Sequence, residues 1–382
     1  MPNAPLRRLA SLCSALARGD DVAARELLVG DAAAWAALRQ AADEHRLTGY
    51  LYAELQAQGL DTSVPPAVLL HARRVYLQQW TRAGQLLREI ERLAQAFEAR
   101  GLPVLFFKGP LLAARLYEHL GSRAMHDIDF LLRDPRTLPR YDEVLAALGY
   151  RRVSRLLLPL AWSGAWLYQL EYRSDAFALE PHWKLQNHPS VALDLDRMWS
   201  QAGRAATTGA RTVPMLSDEY TLVANLLSIP ADLQNASLSL RTYVELLLLW
   251  RRFPADYDWT AFWARRRAER TQRLAAATLA LLREVFASNA LDRAAAAAPA
   301  SGDSKRLAAA LEVALFGART HDGPTAPGST QDSGPVIAEG ARRRLAWELF
   351  ETPLALSFLW WSVTLPARAL AHPAVTLRRL RW

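Results

Sequence analysis

The sequence predicts an α+β protein: a small mixed β-sheet module flanked by N- and C-terminal helical regions. Three observations predict it. Apolar residues recur at helical spacing early in the chain, as Leu6, Leu9, Leu12 and Leu16 do. Between residues 101 and 190 the pattern changes to short apolar runs bounded by turn residues, the mark of strands. Beyond 190 helical spacing returns. The predicted divisions are a helical region at 1–100, the sheet module at 101–190, a second helical region at 191–318, a linker at 319–336 and a tail at 337–382.

Taken in order, residues 5–100 read as helices throughout, broken at Gly30 and at "GLDTSVPP". The last of them is long, carries Val75, Ile90, Leu93 and Phe97 on its apolar positions, and closes at Gly101. "PVLFFK" (103–108) is a buried strand, and "PLLAARLYEHL" (110–120) a helix with Pro110 suited to its first position. "IDFLL" (128–132) is a strand, and a helix ends near Gly149. "AWLYQLEYR" and "AFALEPHW" form the two arms of a hairpin around Ser174-Asp175. Further helices follow, among them "SDEYTLVANLLS", "SLRTYVELLLLWRRF" and "SKRLAAALEVALF". The segment "RTHDGPTAPGSTQDSGPV" has a linker's composition.

Composition narrows the function classes. The chain is 51% hydrophobic and 22% charged, which is globular, and its net charge of +8 suits acidic partners such as nucleotides. Only Lys108, Lys184 and Lys305 are lysines, against a total of 46 basic residues. The basic residues are scattered, and no helix-turn-helix or zinc pattern occurs, so nucleic acid is not the expected partner. A single cysteine, Cys13, excludes an internal disulfide and predicts a reducing, cytoplasmic location. The N-terminus reads as an amphipathic helix without the apolar core of a signal peptide.

The chemistry concentrates in "FFKGPLLAARLYEHLGSRAMHDIDFLLRD", residues 106–134. Asp127 and Asp129 flank Ile128 on a strand, so both carboxylates point to one side. Like charges so placed repel unless something positive arrives. Paired carboxylates suit Mg²⁺, which takes oxygen ligands together with substrate phosphates. Two other Asp-x-Asp triplets, at 194–196 and 256–258, lack that context and read as turns or helix caps. Upstream of the pair, Lys108-Gly109 ends a strand and opens a helix, and a helix N-terminus after glycine favours phosphate. Lys108 and Arg123 would add charge-assisted contacts. Glu180, on an adjacent strand, is the best candidate for a third carboxylate, with Asp175 in the hairpin turn its rival. His182 would contact a phosphate or pack at the strand end, and Trp183 belongs to the core.

In order and spacing, "LFFKG", "LY", an arginine, "DIDFLL" and "LEPHW" resemble the nucleotidyltransferases of the DNA polymerase β superfamily. The likeness is to the bacterial branch whose motif runs lysine-glycine, arginine, Asp-x-Asp. In that branch a later strand supplies an acidic residue shortly before a His-Trp pair. The likeness is close over 104–183 and looser over 70–250. It implies an NTP-dependent transfer of a nucleoside monophosphate, with Mg²⁺ held by Asp127 and Asp129. Glu180 would match the third acidic position, a metal ligand and the base for the acceptor hydroxyl. Gly109 would match the phosphate-loop glycine, with Lys108 and Arg123 on the nucleotide. The usual Gly-Ser is Gly109-Pro110 here, which removes a hydroxyl near the triphosphate, and the gap to Asp127 is longer than in many relatives. A catalytically weak or inactive nucleotide-binding protein on the same fold is therefore the alternative. The acceptor would be a small molecule, peptide, protein or glycan.

Sixteen uncharged residues lie between Glu351 and Arg368, mostly apolar and including Phe358, Trp360 and Trp361. They are fewer than the ~20 needed to span a bilayer. They read as a helix packed on the preceding bundle. The alternative is peripheral membrane contact through 352–382, with Arg378, Arg379 and Arg381 toward anionic lipid.

Overall fold

A computed structural model of the chain describes residues 3–153, 168–317 and 339–350, apart from 187, 189, 208, 210, 287, 300 and 301. The 319–336 linker and most of the 337–382 tail, with Phe358, Trp360, Trp361 and the terminal arginines, lie outside the described residues.

The helices α1 (Ala4–Arg18), α2 (Asp21–Leu27), α3 (Ala32–Glu44), α4 (Thr48–Ala57) and α5 (Pro66–Glu98) come first. The central part runs β1 (Val104–Phe107), α6 (Gly109–Leu116), β2 (Asp127–Leu132), α7 (Leu138–Ala147), β3 (Arg151–Arg152), β4 (Tyr172–Arg173) and β5 (Ala178–His182). It continues with α8 (Leu195–Ser200), β6 (Gly203–Ala206), β7 (Thr212–Met215) and α9 (Asp218–Gln234). The chain then returns to helices: α10 (Leu240–Arg251), α11 (Trp259–Ala268), α12 (Gln272–Phe286), α13 (Asp292–Ala296), α14 (Gly302–Phe316) and α15 (Glu339–Glu348). The class is α+β, as the sequence predicts. Among the described residues no helix is long and apolar enough to cross a membrane.

The chain divides into two compact units. One takes residues 3–76 and 228–350. It is helical, and α1 shows why it forms: Leu6, Leu9, Leu12, Cys13 and Leu16 make one buried stripe, and Gly19 ends the helix at φ 66°. Burial pushes the Cys13 thiol far up, so it is an inert core side chain.

The other unit, 77–227, holds the sheet. Its described strands run in the order β3-β4-β5-β2-β1-β7-β6. β1 is antiparallel to β2 and parallel to β7, and β2 is parallel to β5. All four side chains of β1 are buried. Leu86, Leu87, Ile90, Leu93 and Phe97 form the buried stripe of α5 in this unit. Phe97 lies 5.3 Å from Phe130 and 5.2 Å from Tyr141 between ring centroids, and Phe106 lies 5.9 Å from Phe130. Each such burial is worth roughly 1.5–3 kcal/mol, so this aromatic cluster fixes β1 and β2 against α5 and α7.

The predicted hairpin forms. Tyr172 pairs with Leu179, Arg173 with Ala178, and Ser174 N–H closes the turn onto Phe177 C=O at 2.9 Å. Residues 165–167 of its first arm lie outside the described residues.

Two strands stand where the sequence reading expects helix. β6 and β7 carry the sheet on to Met215, past the residue-190 limit of the predicted module. Their pattern hides them. β6 is "GRAA", half-buried at alternate positions and without an apolar run. β7 contains Pro214, which argues against a strand in sequence. The proline is tolerated because β7 meets β1 at only one residue pair, Phe106–Met215.

Candidate active site

The end of β1 and the start of β2 lie side by side, because the antiparallel register sets Phe107 opposite Asp129. The chain leaves β1 through two residues in the left-handed half of backbone space. Lys108 has φ 55° and ψ −151°, and Gly109 has φ 46° and opens α6. A Cβ on Gly109 would sit 3.3 Å from the Asp127 carbonyl oxygen, a tight contact that adds to the strain of a left-handed φ, so the turn favours glycine. Arg123 is buried and donates from Nη1 to Gly109 C=O at 3.4 Å, which steadies the turn.

β5 runs parallel to β2 on its other side. In their register Asp127 faces Ala178, Asp129 faces Glu180, and Leu131 faces His182. Arg82 of α5 clips the two strands together, donating to the carbonyls of His126 and Ala176 at 3.2 and 3.1 Å and stacking on Phe177. The structure thus brings Lys108, Gly109, Arg123, Asp127, Asp129 and Glu180 to one end of the sheet. Asp175 is elsewhere: it is fully exposed in the hairpin turn, 3.9 Å from Arg151. The other Asp-x-Asp triplets are helix caps, Asp194 accepting from Arg197 N–H at 2.9 Å and Asp258 from Ala261 N–H at 2.8 Å.

Asp129 is buried and 3.0 Å from His182 Nε2 through Oδ1. His182 Nε2 also lies 3.7 Å from Glu180 Oε2, and Gln169 Nε2 donates to the same oxygen at 2.7 Å. Asp129, Glu180 and His182 each bring a ligand atom within 4.8 Å of the other two. Asp127 stands outside that triad. Sequence reasoning missed Gln169 and Arg82, since a lone glutamine or arginine carries no motif. It left His182 open between phosphate contact and packing; here it meets Asp129.

The electrostatics separate the two aspartates. Burial, then the charges of Asp129 and Glu180, push the Asp127 carboxyl up to about 6, against a smaller opposing pull from Lys108. Burial also acts upward on Asp129, but Lys108, the His182 hydrogen bond and Arg123 outweigh it and hold that carboxyl below its usual value. Lys108 is pulled down by burial, yet Asp129, Tyr168, Glu180 and Asp127 keep it above the ordinary lysine value. His182 is likewise pulled down by burial and raised by its hydrogen bonds to Asp129 and Glu180.

The donor set fits a divalent cation. The carboxylates of Asp129 and Glu180 and the His182 imidazole bring ligand atoms within 4.8 Å of one another, and Asp127 lies two residues from Asp129 on the same strand. Oxygen ligands of this kind suit a hard ion.

Residues 31–287, more than half of the chain, match a protein family described as "Uncharacterised nucleotidyltransferase". No curated protein matches the chain. Among solved structures, it is similar to the crystal structure of ANT(2")-Ia in complex with adenylyl-2"-tobramycin. The identity there is 17%, the match covers 49% of this chain and 98% of that one, and the TM-score is 0.35. It is also similar to the solution structure of the antibiotic-resistance factor ANT(2'')-Ia, at 16% identity, 50% and 94% coverage and a TM-score of 0.36.

Proposed function

This chain belongs to that family of nucleotidyltransferases, and we propose that it moves a nucleoside monophosphate from an NTP to an acceptor hydroxyl, releasing pyrophosphate. We assign it to the lysine-glycine, arginine, Asp-x-Asp branch of the DNA polymerase β superfamily. The observation that carries this reading is the register of the sheet, which sets Glu180 directly opposite Asp129, and Asp129 in turn opposite Phe107 at the end of β1 that leads into the Lys108-Gly109 turn.

Asp127, Asp129 and Glu180 would hold Mg²⁺. When bound, the ion would neutralise charge on the phosphates and act as a Lewis acid toward them. The Lys108 ammonium and the N-terminus of α6 at Gly109 bind the triphosphate, and Arg123 keeps that turn in place. Pro110 costs the helix no hydrogen bond, because first-turn N–H groups have no partner within a helix. The acceptor hydroxyl oxygen attacks the α-phosphorus as the bond to the bridging oxygen of pyrophosphate breaks. Its proton passes to the Glu180 carboxylate. The acceptor is a small molecule, peptide, protein or glycan.

The test is incubation of the purified protein with each α-labelled NTP and a cell lysate, with and without EDTA. Label should move to an acceptor with release of pyrophosphate, and EDTA should stop it. Glu180→Gln should lower kcat more than NTP affinity, and Lys108→Ala should weaken triphosphate binding. Near-normal transfer by Asp127→Asn or Asp129→Asn would sink the reading. NTP binding without pyrophosphate release would instead mark a nucleotide-binding protein without turnover, the reading that Pro110 favours.

A further inference from the structure

We propose that Gln169 and His182 are positioning residues that each hold one carboxylate oxygen, of Glu180 and of Asp129 respectively, and so aim the other oxygens at the bound cation. The proposal rests on the metal-holding role given to those carboxylates above.

Asp129 and Glu180 face each other in register, and two like charges so placed tend to turn apart. Something must oppose that rotation. Gln169 Nε2 donates to Glu180 Oε2 at 2.7 Å, and His182 Nε2 reaches Asp129 Oδ1 at 3.0 Å. Both clamping residues are themselves fixed. Gln169 and His182 pair across an antiparallel bridge, Leu170 N–H donates to Pro181 C=O at 3.1 Å, and Trp183 N–H donates to Tyr168 C=O at 2.9 Å. The His182 ring lies against Phe107, 5.0 Å between centroids, and Tyr168, 5.7 Å. It is 1% exposed.

A rival role for His182 is direct ligation, since separations of 3.0 and 3.7 Å also suit donors on one ion. The other ring nitrogen decides between them. Nδ1 is buried with no hydrogen-bond partner among the described residues. A ligating histidine nearly always donates its second N–H to a partner. Were Nε2 to give its lone pair to a metal, the proton would sit on Nδ1, stranded and costly. With the ring neutral and its proton on Nε2, Nδ1 carries no proton to strand, the imidazole donates to Asp129 and the clamp is complete.

The experiment uses the full chain and Mn²⁺ alone, read by electron paramagnetic resonance without NTP. Gln169→Leu should weaken Mn²⁺ binding by ~10–100-fold, the usual loss when a group that orients a metal ligand is removed. Gln169→Asn, one methylene short of Glu180, should weaken it too. His182→Gln, which keeps an N–H donor, should bind Mn²⁺ more tightly than His182→Ala. Pulsed spectra of the wild-type complex should show no nitrogen coupling from a directly bound imidazole. At saturating Mn²⁺ the Gln169→Leu kcat should recover. Wild-type affinity in both Gln169 variants, absence of Mn²⁺ binding by the wild type, or a bound-imidazole signal would overturn the proposal. A wild type that shows the expected Mn²⁺ behaviour but transfers no nucleotide supports the clamp and removes only the transferase reading.

Discussion

Asp127 and Asp129 share one strand and one face, yet their surroundings move their carboxyls in opposite directions. From sequence alone, neutralising either should relieve repulsion and leave stability level or higher. The structure keeps that expectation for Asp127 and reverses it for Asp129. The Asp127 pKa is raised, so the metal-free native state holds this proton to higher pH than the unfolded chain does. Its contribution to stability therefore falls as pH rises from the ordinary carboxyl value of 3.8 through about 6. Asp127→Asn should remove that slope and melt at the same temperature as wild type or higher at neutral pH. Asp129 carries a lowered pKa, so its contribution is present above the unfolded value and is lost as pH falls. Asp129→Asn strands Lys108 and His182 and should cost roughly 3 kcal/mol, the scale of a broken buried pair. Thermal melts of both variants in EDTA, from pH 4 to 8, check this; equal effects at neutral pH would contradict it. The sequence made Asp127, Asp129 and Glu180 legible because acidic residues at strand spacing are a local pattern. Gln169 reaches Glu180 through the antiparallel bridge and His182 reaches Asp129 through the parallel pairing of β5 with β2, neither of which a local pattern announces.

At the scale of elements, the turn from β1 into α6 governs where the site lies. Gly109 combines a left-handed φ with a close approach to the backbone of Asp127, whereas Gly149, after α7, has φ 86° and open space around it. Gly109→Ala should therefore cost about 1–2 kcal/mol for the strained φ and also push on the carbonyl of Asp127, cutting nucleotide transfer. Gly149→Ala pays a similar backbone cost without touching the site. A melting temperature lowered in both variants, with transfer lost only in the first, is the expected pattern. Transfer preserved in Gly109→Ala would mean that the approach of turn to strand is unimportant. The elements that build this turn were readable: apolar runs for β1 and β2, Pro110 for α6, Ser174-Asp175 for the hairpin. β6 and β7 were not, because a strand of small and polar residues with an internal proline takes its identity from its partners. The parallel pairing of β2 with β5, on which the Asp129–Glu180 register depends, is likewise a long-range property.

At the scale of the whole molecule, the question the sequence left open is the end of the chain. Truncation after Val336 looks like a clean way to remove a linker and tail. The helical unit says otherwise. Residues 339–350 are part of its core: Leu345, Ala346, Trp347, Leu349 and Phe350 are buried, α15 packs on α14, and Arg306 meets Glu348 at 2.8 Å. Large apolar side chains buried this way contribute roughly 1.5–3 kcal/mol each, so cutting at Val336 would uncover α14 and destabilise the unit whatever residues 352–382 do. A cut after Phe350 keeps those side chains and removes only the segment in question. The chain ending at Val336 should therefore melt well below the chain ending at Phe350, by calorimetry under the same buffer. Co-sedimentation of the full chain and the Phe350 form with anionic vesicles then reads the tail by itself. Binding by the full chain alone, with melting unchanged, would make 352–382 a membrane contact. A lower melting temperature in the Phe350 form, without vesicle binding by either, would make it part of the fold. Equal melting of the Val336 and Phe350 forms would contradict the packing of α15 on α14 from which the prediction is drawn.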